Sequence, residues 1–169
     1  MKIRHICSIH CAAGAVTFLL LSSFMVAQEQ QRGRDKYLCS EPQPEKICTA
    51  ENTCGSSSTP CTVEIKRTAS DASATPSIPK AKANEPFCIK VGTTVTWKSA
   101  SKNTGFVVDF GPDSPFEPPE AIVGGSERPI SAVVKKKGCY KYSAGACVSG
   151  SIYGMCGSVE TKLIITDSE

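Results

Sequence analysis

The side chains best able to do chemistry in this sequence are its cysteines, 10 of them in 169 residues. A count that high and even predicts disulfides, and therefore folding in an oxidising compartment. Histidine, the usual proton carrier near neutral pH and a common metal ligand, occurs only as His5 and His10. Both stand within the first residues of the chain, where Lys2, Arg4 and His5 give a positive lead to an apolar run, Ala12 to Leu21, that continues to Val26. That pattern reads as a secretory signal peptide over residues 1–27, with Ala27 as the small residue before the cut. The run is shorter than the roughly 20 apolar residues that span a bilayer, and Cys11 follows no lipobox, so no membrane attachment is expected after cleavage. The expected destination is secreted, either periplasm or external medium.

Without the leader, 17 of the 19 basic residues remain against all 16 acidic ones, and no histidine is left. Ser-His and Cys-His nucleophile pairs are then excluded, as is every zinc site that uses imidazole. The reading is of a protein that is not an enzyme. Near-neutral charge offers no basic face to nucleic acid or anionic lipid, which leaves an unidentified protein or small-molecule ligand as the expected partner. Weaker patterns have plainer explanations. Asp113, Glu117 and Glu120 lie among prolines at a spacing that matches no calcium loop. The S-x-x-K spacings at Ser77 to Lys80 and Ser99 to Lys102 lack the companion motifs that such a nucleophile needs. Lys135, Lys136 and Lys137 read as a solvated hairpin turn.

These residues must be positioned by what surrounds them. Residues 28–60 read as a polar leader followed by a cysteine-rich extension. In the extension Cys39, Cys48, Cys54 and Cys61 are spread among Pro, Ser, Thr and Gly with almost nothing large and apolar. Such a segment cannot build its own core and must be held by disulfides, either among its own cysteines or into the body that follows. Its cysteine gaps lack the short pairs of a zinc knuckle. Residues 61–169 carry short runs with strand character: TVEIK, FCIKV, TVTWK, FVVDF, PISAVV, CYKYS and SVETKLIIT, separated by Gly, Pro and Ser clusters. Ala69 to Asn84 reads as a long surface loop, and Gly92-Thr93 as a hairpin or sharp corner. Trp97 alternates inward with Val95. Tyr140 and Tyr142 share one strand face and, with Ile152 and Tyr153, make a candidate exposed patch. No window has a convincing helical period. The predicted class is all-β: an antiparallel Greek-key β-sandwich with a disulfide-rich N-terminal extension.

Four pieces in order, VGTTVTW (Val91 to Trp97), GFVVDF (Gly105 to Phe110), GCYKYSA (Gly138 to Ala144) and GMCGSVETKLII (Gly154 to Ile165), resemble the cupredoxins, the blue-copper sandwich domains. The resemblance covers about residues 61–167 and implies a cupredoxin-like fold. It also implies where a copper site would stand, and there the sequence departs from the family. Gly105 occupies the first histidine position, Ala144 the cysteine position, and no histidine follows it; only Met155 stands where the axial methionine would. A type 1 site needs two imidazoles and a thiolate, so no cofactor is expected.

Eight cysteines remain after the leader, Cys39, Cys48, Cys54, Cys61, Cys88, Cys139, Cys147 and Cys156. Four disulfides are expected, and about 105 pairings are open; Cys147 and Cys156 bond either to each other or to a neighbouring strand. The alternative is a sulfur-only site for Cu(I) made by Cys147, Met155 and Cys156. The candidate partner surface is the end of the sandwich carrying Gly105, Ile152 and Tyr153.

Overall fold

The alternation in CTVEIK sets the pattern of the body: Cys61, Val63 and Ile65 point inward while Thr62 and Glu64 face outward on β2 (Cys61–Thr68). The computed structural model describes residues 36–69, 71–148, 151–153 and 161–168. In it β2 belongs to a five-stranded sheet in the order β3 (Asp71–Pro76), β2, β5 (Thr94–Ser99), β9 (Ile130–Val134), β7 (Phe116–Glu117). Facing it is a second sheet in the order β4 (Phe87–Lys90), β12 (Thr161–Thr166), β10 (Gly138–Val148), β6 (Gly105–Asp109), β8 (Ile122–Gly125). Two short strands, β1 (Leu38–Cys39) and β11 (Ser151–Tyr153), pair with β10. The architecture is an all-β sandwich. Most pairs are antiparallel, but β2 with β5 and β4 with β12 run parallel. A single helical turn, α1 (Pro44–Ile47), lies in the extension.

The core lies between the sheets and is centred on Trp97, which is fully buried. Phe110, Phe116 and Tyr142 meet its ring edge-on at centroid distances of 6.1, 6.1 and 5.7 Å. Such edge-to-face pairs add about 0.5–1.5 kcal/mol each beyond the area they bury. Tyr140 and Tyr142 point into this core rather than outward, which overturns the expected exposed patch. Tyr140 still places its hydroxyl at the margin, donating to the Lys137 carbonyl at 3.2 Å.

Three local expectations change for physical reasons. Asp71–Pro76 is a strand, not loop: it pairs with β2 over six register positions. Its residues are small, so no strand signal is visible, and its outer rim is completed by Asn84. That side chain accepts from the Ala74 amide at 2.8 Å and donates to the Ala72 carbonyl at 3.4 Å. Gly92-Thr93 is the sharp corner, not the hairpin, since β4 and β5 lie in different sheets; Gly92 sits at φ +89, open only to residues without a side chain at little cost. Lys135 to Lys137 likewise carry the chain between sheets. Lys135 pairs with Glu117 at 3.2 Å, Lys136 donates to the Ser114 carbonyl at 3.3 Å, and Lys137 pairs with Asp167 at 3.3 Å.

The extension is bound to the body by its cysteines. Cys39 bonds to Cys139, Cys48 to Cys88, and Cys54 to Cys61; both options left open by the sequence are used. In register, Cys39, Cys139, Ile164 and Cys88 form one row across β1, β10, β12 and β4. The extension therefore crosses the outer face of this sheet as a strap, from the middle strand to the edge strand. At the edge, the Cys54 amide donates to the Cys88 carbonyl at 2.8 Å and the Cys88 amide to the Asn52 carbonyl at 2.9 Å. The last disulfide then leads the chain into β2. Three disulfides fit an oxidising compartment. Among the described residues no helix is long and apolar enough to cross a membrane.

Candidate functional site

At one end of the sandwich β10 outlasts its first partners and acquires new ones. Its first half pairs with β12 and β1, whereas Ser143 to Cys147 pair with β6 and Ala146 to Val148 pair with β11. The result is a register row Ile152, Cys147, Gly105, Gly125 across four strands, with Tyr153, Ala146, Phe106 and Gly124 in the next row. Gly105 and the pair Ile152 and Tyr153, the residues expected to form a partner surface, thus lie on the two strands that flank β10, in two neighbouring register rows. Met155 and Cys156 lie outside the described residues.

Alternation along β6 buries Phe106 and Val108 and leaves Gly105 and Val107 half-exposed. A Cβ at Gly105 would stand 3.4 Å from the Cβ of Cys147 and 3.4 Å from the Gly124 carbonyl oxygen. The position where the resemblance implies a first copper ligand therefore has no side chain and lies against a neighbouring strand. Ala144 pairs with Val108 and packs on the core. Neither residue can donate to a metal, so these positions do not fit a type 1 copper. Among the described residues Cys147 bonds to no other cysteine, and its thiol is half-buried. Gly105 and Gly125 stand opposite each other beside it, leaving a stretch of backbone without side chains. Gly125 was not legible as part of this surface; its signal was the Gly124-Gly125 pair, which marks close strand approach once β8 is recognised.

Among the described residues three buried side-chain polar atoms have no hydrogen-bond partner, the Thr93 hydroxyl, the Trp97 indole N–H and the Tyr142 hydroxyl. Burial drives the Tyr142 phenol far above its ordinary ionisation range, so it stays neutral. At the opposite end of β6, Tyr37 clamps the start of the strap to the body. Its hydroxyl donates to Asp109 at 2.7 Å, and its carbonyl accepts from the Lys141 amide at 2.7 Å. Gly111, at φ +68, lies under the ring, where any Cβ would collide with it. Partial burial, then the hydrogen bond and negative charge of Asp109, push the Tyr37 phenol up to about 12.

The fold and this end surface define a class, an all-β sandwich stapled by disulfides through its own N-terminal strap. Compared with models of known families and with curated proteins, the chain matches none.

Proposed function

We propose that the chain is a secreted binding or structural module, built on a cupredoxin-like sandwich that has no type 1 copper site and performs no catalysis. Its partner, a protein or a small-molecule ligand, docks at the end of the sandwich that in a blue-copper domain would enclose the metal. The observation that carries this reading is the register of β10, which sets Gly105, Cys147 and Ile152 in one row and Phe106, Ala146 and Tyr153 in the next. The resemblance supports it further: VGTTVTW turns the corner into β5, GFVVDF is β6 with the first residue of the next turn, and GCYKYSA opens β10. Secretion is supported by the apolar leader and by three disulfides.

A second reading has one observation behind it, the Cys147 thiol that bonds to no described cysteine. On that reading the protein carries Cu(I) on sulfur alone, with Met155 and Cys156. Titrating the native protein with Cu(I), with its thiols counted in parallel, separates the two. The binding-module reading predicts no retained copper and no blue colour. One tightly held Cu(I) per chain would replace it with the sulfur site.

A further inference from the structure

The three disulfides are not equally protected. Cys54 and Cys61 are both fully buried, and Cys88 is fully buried while Cys48 is partly exposed. Among the disulfides of the described residues only Cys39–Cys139 has both halves partly exposed. This same bond lines an open groove of about 440 Å³, with Pro44 and Ile164 as apolar lining and Glu41, Lys137 and Asp167 as its charged groups. The groove is of the size that takes a small molecule. Exposed disulfides are the ones open to thiol attack, because an incoming thiolate must reach a sulfur atom.

We propose that this groove is a thiol–disulfide exchange site, at which a low-molecular-weight thiol opens Cys39–Cys139 and thereby frees the start of the strap. A first thiolate attacks one of the two sulfurs; a bond to that sulfur forms, the Cys39–Cys139 bond breaks, and the other cysteine leaves as thiolate. A second thiolate attacks the outer sulfur of the mixed disulfide, leaves as a small-molecule disulfide and releases the remaining cysteine. Two electrons pass from two thiols to the protein disulfide, and the cysteine thiolates take protons from water. The charged groups specify the thiol. Lys137 is matched by Asp167 at 3.3 Å, so Glu41 leaves the lining net negative, which favours a cationic aminothiol over an anionic one.

Opening this bond changes what holds the strap. The strand it secures has two register positions, and beyond it Tyr37 ties the chain to the body through Asp109, Ser143 and the Lys141 amide. Cys48–Cys88 and Cys54–Cys61 stay closed, so the sandwich persists while residues 36–47 lift from it.

The experiment uses the native full chain with any free thiols first blocked by N-ethylmaleimide. It is exposed briefly to cysteamine or to mercaptoethanesulfonate, quenched with iodoacetamide, and its modified cysteines located by peptide mass. The expected result is labelling of Cys39 and Cys139 at least about tenfold faster than of the other four described disulfide cysteines. A cysteamine adduct on Cys39 or Cys139 and a rate about threefold above that of the sulfonate at low salt complete the expectation. Opening of Cys48–Cys88 or Cys54–Cys61 first, or of all three together, overturns the proposal. A second readout follows the strap itself. In the opened protein and in a Cys39→Ser/Cys139→Ser variant the Tyr37 phenol should ionise nearer 10 than 12, with the near-UV signal of Trp97 retained. An unchanged Tyr37 titration would show that the strap is not released.

Discussion

The outer faces of the two sheets differ, and the difference explains the extension. On β2, β5 and β9 of the five-stranded sheet the outward residues include Thr62, Glu64, Thr94, Thr96, Lys98, Ser131 and Val133, all polar but Val133 and all left to solvent or half-exposed. Thr96 and Ser131 satisfy each other at 2.9 Å, and Lys98 lies 3.7 Å from Glu64. On the other sheet the outward row is Cys139, Ile164 and Cys88, and Ile164 is only 1% exposed. An apolar outer face must be covered, and the strap covers it. The cysteine-rich segment is therefore one layer of a single domain rather than an accessory to it.

The largest expected effect tests that contrast directly. Ile164→Ala should cost about 2–5 kcal/mol in chemical denaturation, as a core deletion does, while Thr96→Ala on the opposite face should stay within about 0.5 kcal/mol. Equal small effects would mean that the strap does not cover Ile164. Removing the strap's edge anchor with Cys48→Ala/Cys88→Ala should cost about 2–4 kcal/mol, read in the same assay.

The contrast was partly written in the sequence. Strict alternation in TVEIK and TVTWK marks strands with one wet face, and these two were legible. The uninterrupted FCI and LII mark strands covered on both sides, as β4 and β12 prove to be, with three consecutive buried residues each. That signal shows that something covers the sheet but not what. The pairing of Cys39 with Cys139, across 100 residues, depends on a register that no local pattern encodes. β3 was hidden because Ala72, Ser73 and Ala74 are too small to signal burial. At the candidate site Gly105 is singled out in the sequence only by a resemblance, and its neighbour Cys147 depends on β10 running on to Val148, past the expected end at Ser143.

Between the two faces, the buried Tyr142 hydroxyl has no hydrogen-bond partner among the described residues. Its removal relieves an unsatisfied polar group, so Tyr142→Phe should stabilise by about 1 kcal/mol; a loss of that size would reveal a partner for the hydroxyl. The strap's clamp is sharpened by pH. The folded Tyr37 phenol ionises at about 12 against about 10 when unfolded. The clamp's contribution is therefore complete below pH 10 and lost as pH rises from about 10 to about 12. Tyr37→Phe should lessen that alkaline dependence, leaving the part contributed by the buried Tyr142 phenol, as measured by denaturation at stepped pH. The smallest effect belongs to the exposed tie between strap and β3–β4 loop, Lys80 with Glu51 at 2.8 Å: Lys80→Ala should change stability by no more than about 0.5 kcal/mol.

The central claim, that the extension is the cover of one sheet, is tested most directly by mapping disulfides in the native protein after proteolysis without reduction. Linked peptides are expected for Cys39 with Cys139, Cys48 with Cys88, and Cys54 with Cys61. Linkage of Cys39 to Cys48, or of any two extension cysteines other than Cys54 and Cys61, would contradict it, because the strap would then close on itself and leave the sheet bare.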